Sequence, residues 1–271
     1  MRFAVLGYPI GHSLSPPMHA AAFAGAGLAA SYEALSVRPQ ELESRLDELR
    51  SGRWNGFNVT IPHKVAALEL ADDPDPLAVR IGAANTLWCR EGRIRAGNTD
   101  ITAMREIIDS ARVGSDAPAV LIGAGGAARA ALLALSEFDR LTILNRTPAN
   151  ARALAAELSP GARVLSLDDP AGAEAARAAT LIVNASSMGM TGGPAAGRSP
   201  LPEGCLGRHH VVFDMVYRPV ETPLLADARK SGARTIDGLT MLVLQGAASF
   251  SIWTGRDPDR AAMRRACERA L

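Results

Sequence analysis

Ala119-Val120-Leu121-Ile122-Gly123-Ala124-Gly125-Gly126-Ala127-Ala128 reads as a buried strand, a tight turn and the opening of a helix. An unbroken apolar run suits a strand covered on both faces, and the small residues after it suit a helix pressed against a sheet. A Gly-x-Gly-x-x-Gly/Ala pattern carries meaning only in that context. Gly123 then permits the turn, Gly125 lets the backbone approach a pyrophosphate, and Ala128 allows close helix–strand packing. The helix N-terminus adds N–H donors and the positive end of its dipole. Gly123, Ala124, Gly125, Gly126 and Ala127 are therefore candidates for holding a dinucleotide. The next strand ends in Asn145-Arg146-Thr147, about twenty residues on, where NAD enzymes place an acidic residue for the ribose 2′-hydroxyl. A forked, permanently charged guanidinium there suits the 2′-phosphate of NADP.

Outward from this turn, short β-branched or apolar runs alternate with Ala/Leu/Arg stretches of helical period, the pattern of βαβ units. The expected fold class is α/β, with two βαβ-type domains built on mainly parallel sheets. On the N-terminal side strands are expected near 3–7, 31–37, 56–60, 85–89 and 93–97. Helices are expected near 16–26, 40–51, 62–70 and 102–111. The polar break Gly114-Ser115-Asp116-Ala117-Pro118 reads as a hinge, with a second hinge near Gly238. On the C-terminal side come a helix over 129–136 and strands near 141–144, 181–184 and 211–215. Residues 191–204, rich in Gly and Pro, are expected to form a mobile surface loop. Residues 239–271 read as two helices broken at Thr254-Gly255-Arg256-Asp257-Pro258.

A chain of 271 residues is long for one core, and two domains are the better expectation. With 29 Lys+Arg against 28 Asp+Glu, no strong field is available to gather nucleic acid or an anionic membrane, so the partner is a small molecule. Cys89, Cys205 and Cys267 are widely spaced and include no Cys-x-x-Cys, as in a reduced cytoplasmic protein. No apolar run approaches a membrane span, and the N-terminus has no secretory layout. No metal site is expected.

Three polar clusters mark the other half. Ser13 and Ser15 stand two residues apart before a helix, where both hydroxyls can face an anion; Ser15 with Pro16 behind it is also a natural N-cap. In Asn58-Val59-Thr60-Ile61-Pro62-His63-Lys64 a strand ends and a helix begins with a lysine in its first turn, where the dipole disfavours a cation. A local rule broken at a strand end points to function. Asn85-Thr86 and Asn98-Thr99-Asp100 form the third cluster, in which Asp100 serves either as a helix cap or as a partner of Lys64. Paired, the two would form a donor–acceptor couple for a carbonyl/alcohol interconversion.

In order along the chain, Gly7 to His19, Asn58 to Lys64, Gly82 to Thr86, Asn98 to Asp100, the Gly-rich turn, Asn145 to Thr147, Asn184 to Met190, Asp214 to Tyr217 with Pro219, Thr222 to Leu224 and Gly238 to Gly246 resemble the shikimate dehydrogenase family. The resemblance covers nearly the whole chain. It implies an N-terminal substrate domain of residues 1–101 with 238–271, and a Rossmann NADP-binding domain of residues 102–237, with a cleft between. It implies NADPH-dependent reduction of 3-dehydroshikimate to shikimate in the chorismate route to aromatic amino acids, by a cytoplasmic monomer or homodimer. Lys64 and Asp100 would be the catalytic pair. Ser13 and Ser15 would take the substrate carboxylate, and Asn85, Asp100 and Gln245 the ring hydroxyls, with Thr60 and Tyr217 beside them. Met215 and Gly238 would line the nicotinamide. The pattern departs from the family at Ala20, Ala96 and Asn150. Rival readings are a dehydrogenase of quinate or an amino-substituted shikimate, using NAD, and a non-catalytic ligand-binding regulator.

Overall fold

The structure, a computed structural model, describes residues 1–193 and 195–271. Its backbone divides into two compact units, Met1–Ala103 with Leu242–Leu271, and Met104–Met241.

The first unit holds a six-stranded sheet in the order β2-β1-β3-β5-β6-β4, formed by β1 (Arg2–Gly7), β2 (Ser31–Ser36), β3 (Gly56–Val59), β4 (Asp73–Pro74), β5 (Thr86–Arg90) and β6 (Arg93–Gly97). β1 pairs in parallel with β2 and β3, but β5 runs antiparallel to both β3 and β6. The sheet is thus mixed, because the two-residue turn Glu91-Gly92 closes a hairpin in which both residues adopt positive φ. The helices are α1 (Ser15–Gly25), α2 (Leu42–Arg50), α3 (Lys64–Glu69) and α4 (Pro76–Ile81). The core places Leu6, Phe57, Val59, Leu87 and Ile94 against Leu42, Leu46 and Leu49 on one face of α2. Ala96, which departs from the family pattern, lies in β6, within the strand expected over 93–97; it is fully buried, and its carbonyl accepts the Asp75 N–H.

Two helices carry the chain between the units in sequence: α5 (Thr99–Ala111) and α10 (Gly238–Thr254). The turn at 114–118, expected to be a hinge, lies inside the second unit. There Asp139 N–H bonds Ser115 O, and Arg140 bonds Asp116 O.

The second unit holds an all-parallel sheet of β7 (Pro118–Ile122), β8 (Arg140–Asn145), β9 (Arg163–Ser166), β10 (Leu181–Asn184), β11 (Val211–Asp214) and β12 (Arg234–Ile236), ordered β12-β11-β10-β7-β8-β9. Numbered within the unit this is the doubly wound order whose strand sequence reverses beside the first strand. Its helices are α6 (Gly126–Leu135), α7 (Pro148–Leu158), α8 (Pro170–Ala178) and α9 (Pro223–Lys230). α6 begins at Gly126, ahead of the expected Arg129, so it opens directly on the glycines. Pro194 lies outside the described residues of the 191–204 segment. Most of the segment's described residues are exposed, as expected of a surface loop, but Leu201 and the Cys205 that follows it are buried against Val212, Leu224 and Leu225.

The C-terminal pair, α10 and α11 (Arg260–Arg269), breaks where expected. In the first unit Trp253 stacks on Phe3 with centroids 4.8 Å apart, and Phe250 packs on Phe23 at 5.2 Å. Among the described residues no helix is long and apolar enough to cross a membrane.

Candidate active site

β3 ends at Val59, and a turn led by Thr60 delivers Lys64 as the first residue of α3. Across the sheet β6 ends at Gly97, and α5 starts with Asp100 in its first turn. Lys64 Nζ donates to Asp100 Oδ2 at 2.6 Å, and both side chains stay partly open, at 21% and 14% exposure. Asp100 does not cap α5: its own N–H bonds Asn98 Oδ1, and its carboxylate is given to Lys64 and to Asn85 Nδ2 at 2.9 Å. The buried Asn85 is oriented by its carbonyl, which accepts Thr99 N–H at 2.7 Å and the hydroxyls of Thr86 and Thr99. A backbone N–H can only donate, so the amide oxygen must face it and the NH₂ must face Asp100.

Ser13 and Ser15 bracket the start of α1. Ser15 is buried and is its first helical residue, the cap position falling on Leu14; Ser13 Oγ accepts the Ser15 N–H at 3.2 Å. Thr60 is half-buried, its N–H bonded to Leu6 O. Gln245, on α10, turns its amide back to Leu242 O at 2.8 Å. Behind the site, His19 stacks on Tyr32 at 4.2 Å, with neither ring nitrogen hydrogen-bonded among the described residues. Burial lowers the His19 imidazole to about 3, a smaller contribution from Asn58 opposing it, so the ring is neutral. Motif reading placed Asn58 in the Lys64 cluster without a role and passed over Ser249. Ser249 lies one helical turn beyond Gln245 on the same face of α10.

In the second unit, Gly123 follows β7 with φ +107°, and a Cβ there would lie 3.0 Å from Ser186 N. Only glycine passes this close beside the strand-order reversal, between the ends of β7 and β10. At Gly125 and Gly126 a Cβ would meet nothing within 4 Å, so the face of the turn is open, and α6 has no side-chain cap on its first-turn N–H groups. Open backbone, free donors and a dipole end fit a pyrophosphate. Asn145 Nδ2 bonds Thr147 O at 2.8 Å and shapes the turn that presents the exposed Arg146. Asn150 and Arg152 are also exposed on α7. Met215 and Tyr217 follow β11. A Cβ on Gly238 would sit 2.5 Å from Val216 O and 2.6 Å from Met215 O, so no side chain fits where α10 starts. The turn carrying Met215 hangs on Asp214, which accepts from Asn184 Nδ2, Val216 N–H and Thr222 Oγ1. Burial pushes its carboxyl up to about 6, against those three bonds.

An ammonium and a carboxylate in contact on one unit, and an open glycine turn followed by an arginine on the other, are the parts that a dinucleotide-dependent oxidoreductase of the NADP type uses. The family model described as "Shikimate dehydrogenase substrate binding domain" matches residues 5–87, and "Shikimate 5'-dehydrogenase C-terminal domain" matches residues 238–268. The chain is 44% identical to a shikimate dehydrogenase (NADP(+)) of Thermus thermophilus, over 100% of this chain and 99% of that one. It superposes on the crystal structure of a Thermus thermophilus shikimate 5-dehydrogenase in complex with NADP(H) and shikimate, with TM-score 0.89, 43% identity and 100% coverage of both chains. Quinate dehydrogenase from Corynebacterium glutamicum in complex with NAD has TM-score 0.90 at 30% identity, covering 98% of each chain. The chain belongs to the shikimate dehydrogenase family.

Proposed function

We propose that this protein catalyses the reversible NADPH-dependent reduction of 3-dehydroshikimate to shikimate, in the cytoplasm, as a step toward chorismate. The observation that carries the reading is the Lys64–Asp100 contact, held from behind by Asn85. NADP(H), when bound, supplies or accepts the hydride; the remaining work falls to the chain's own groups. Lys64 donates a proton to the carbonyl oxygen in reduction and takes it back from the hydroxyl in oxidation. Asp100 orients the ammonium through one carboxylate oxygen and takes a ring hydroxyl. We assign the substrate carboxylate to Ser13 and Ser15, the ring hydroxyls to Asn85 and Gln245 with Asp100, and flanking contacts to Thr60 and Tyr217. For Gln245 this requires its amide to leave Leu242 O. We assign the pyrophosphate to residues 123–127, the 2′-phosphate and its ribose to Asn145, Arg146 and Thr147, and the nicotinamide to Met215 and Gly238.

The test measures turnover of shikimate and quinate with NADP and with NAD, in all four combinations. Dominant turnover of shikimate with NADP is expected. A preference for quinate or NAD would replace substrate or cofactor while keeping the acid–base pair. Binding of ring acids without turnover in any combination would overturn the catalytic reading.

A further inference from the structure

Behind Asn85 lies a buried chain of polar groups that touches neither the reacting pair nor open solvent. Asn58 Nδ2 donates to Ser249 Oγ at 2.9 Å and also faces Asn85 O and Thr86 Oγ1, both at 3.2 Å. Tyr32 OH donates to Asn58 Oδ1 at 2.7 Å. Ser249 Oγ lies 2.9 Å from Thr86 Oγ1 and 3.2 Å from Thr99 Oγ1, and it reaches Gln245 O at 3.0 Å. Ser249 and Thr86 are fully buried, and Asn58 nearly so.

Donor and acceptor logic gives these bonds a direction. Asn85 O is a pure acceptor, so the Asn58 amide must turn its NH₂ toward it and its oxygen toward Tyr32. Thr86 and Thr99 spend their hydroxyl hydrogens on Asn85 Oδ1. Ser249 accepts from Asn58, so across its 2.9 Å contact with Thr86 it is Ser249 that donates, sharing its single hydrogen between Thr86 Oγ1 and Gln245 O. The set ends at the Asn85 amide, which with Lys64 holds the Asp100 carboxylate. One backbone N–H and two threonine hydroxyls thus fix one amide, and Ser249 supports one of those hydroxyls from behind. The burial is what makes the fixing effective, since no water competes for these hydrogen bonds.

We propose that Ser249, with Thr86 and Asn58, is a positioning network for the reaction assigned above: it locks the Asn85 amide and through it the Asp100 carboxylate and the Lys64 ammonium. This rests on the assignment of Lys64 and Asp100 as the reacting pair. Ser249 ties the pair to α10, the helix that also carries Gln245, so the acid–base couple and a substrate-hydroxyl ligand share one support.

The test compares Ser249→Ala, Thr86→Val and Thr86→Ser with the unaltered protein. Thr86→Val keeps the shape and removes the hydroxyl; Thr86→Ser keeps the hydroxyl. Misplacing a reacting group costs up to about 10²-fold in rate. Ser249→Ala and Thr86→Val are expected to lower kcat for shikimate oxidation about 10-fold, with the KM for NADP unchanged, and to move the low-pH limb of the rate profile upward. Thr86→Ser should restore most of the rate. A second measurement needs no turnover: the side-chain NH₂ resonances of Asn85, assigned by their loss in Asn85→Asp, should shift and exchange faster in Ser249→Ala and Thr86→Val. Lower thermal stability with unchanged kcat, pH profile and Asn85 resonances would overturn the network as a positioning device. Unaltered protein that is inactive on shikimate would sink the proposed function, while the Asn85 resonances would still decide the network.

Discussion

Replacing Asp214 with asparagine tests how the second unit holds the turn after β11. The carboxyl is fully buried, and burial raises it from 3.8 to about 6 despite three hydrogen bonds. A rise of that size corresponds to ~3 kcal/mol of difference between the protonation states. The folded state binds the proton more tightly than the unfolded chain, so the stability it confers is whole below about pH 4 and is lost as pH rises through about 6. The neutral amide of Asp214→Asn would escape that loss. Its carbonyl can accept from Asn184 and Val216 as Oδ1 does now, but its NH₂ must face Thr222 Oγ1, whose hydrogen then turns away. The bond is reversed rather than lost, and the Thr222 hydrogen left without its acceptor costs about 1 kcal/mol. Asp214→Asn is therefore expected to be about 1 kcal/mol less stable near pH 4 and the more stable protein above pH 7, the difference moving by ~3 kcal/mol. Urea unfolding of both proteins between about pH 4 and 8 at constant ionic strength measures it. Taking the difference removes all other titrations, including that of His19. A difference that stays flat across this range would refute the reasoning.

Three further perturbations separate chemistry, cofactor choice and packing. Lys64→Ala should reduce turnover by about 10²–10⁴ while the protein still unfolds at its usual temperature; near-normal kcat with unchanged substrate affinity would remove Lys64 from proton transfer. Arg146→Ala should raise the KM for NADP about 10- to 100-fold and leave the KM for NAD unmoved, and equal effects on both cofactors would count against a 2′-phosphate contact. Leu201→Ala should destabilise the protein by about 2–5 kcal/mol in chemical denaturation, as a core truncation does. A change below about 0.5 kcal/mol, the usual limit at exposed positions, would show that Leu201 does not anchor this surface segment to the core.

What the sequence made legible was periodicity and local chemistry. The Gly-rich turn after an apolar strand announced the second sheet, and the polar strand ends announced Lys64, Asn85 and Asp100. Several elements between them were passed over although they carry a shared sign. Asp75-Pro76, Asp169-Pro170 and Thr222-Pro223 each open a helix with a side chain accepting a first-turn N–H, and in each the proline takes the first helical position. The hairpin of β5 and β6 was visible as two strands around Glu91-Gly92, but the mixed direction of the first sheet follows from long-range pairing with β3. Ser249 was invisible for another reason. One hydroxyl among the four that α10 carries, with Thr240, Ser251 and Thr254, looks like any helix hydroxyl until the fold brings Asn58 and Thr86, 191 and 163 positions away, to its oxygen.

The interrupted layout of the first unit sets an order on synthesis. Met104–Met241 is contiguous and contains every strand of its sheet, so it can fold once Met241 clears the ribosome. The first unit began emerging earlier, yet it lacks Phe250 and Trp253 until the final residues arrive. During that interval Phe3 and Phe23 have no complete partner surface, and a nascent chain stalled or truncated before residue 242 presents them to solvent or to a chaperone. Removal of residues 242–271 should therefore strip the first unit of Phe250 and Trp253 while leaving every strand of the second unit's sheet in place.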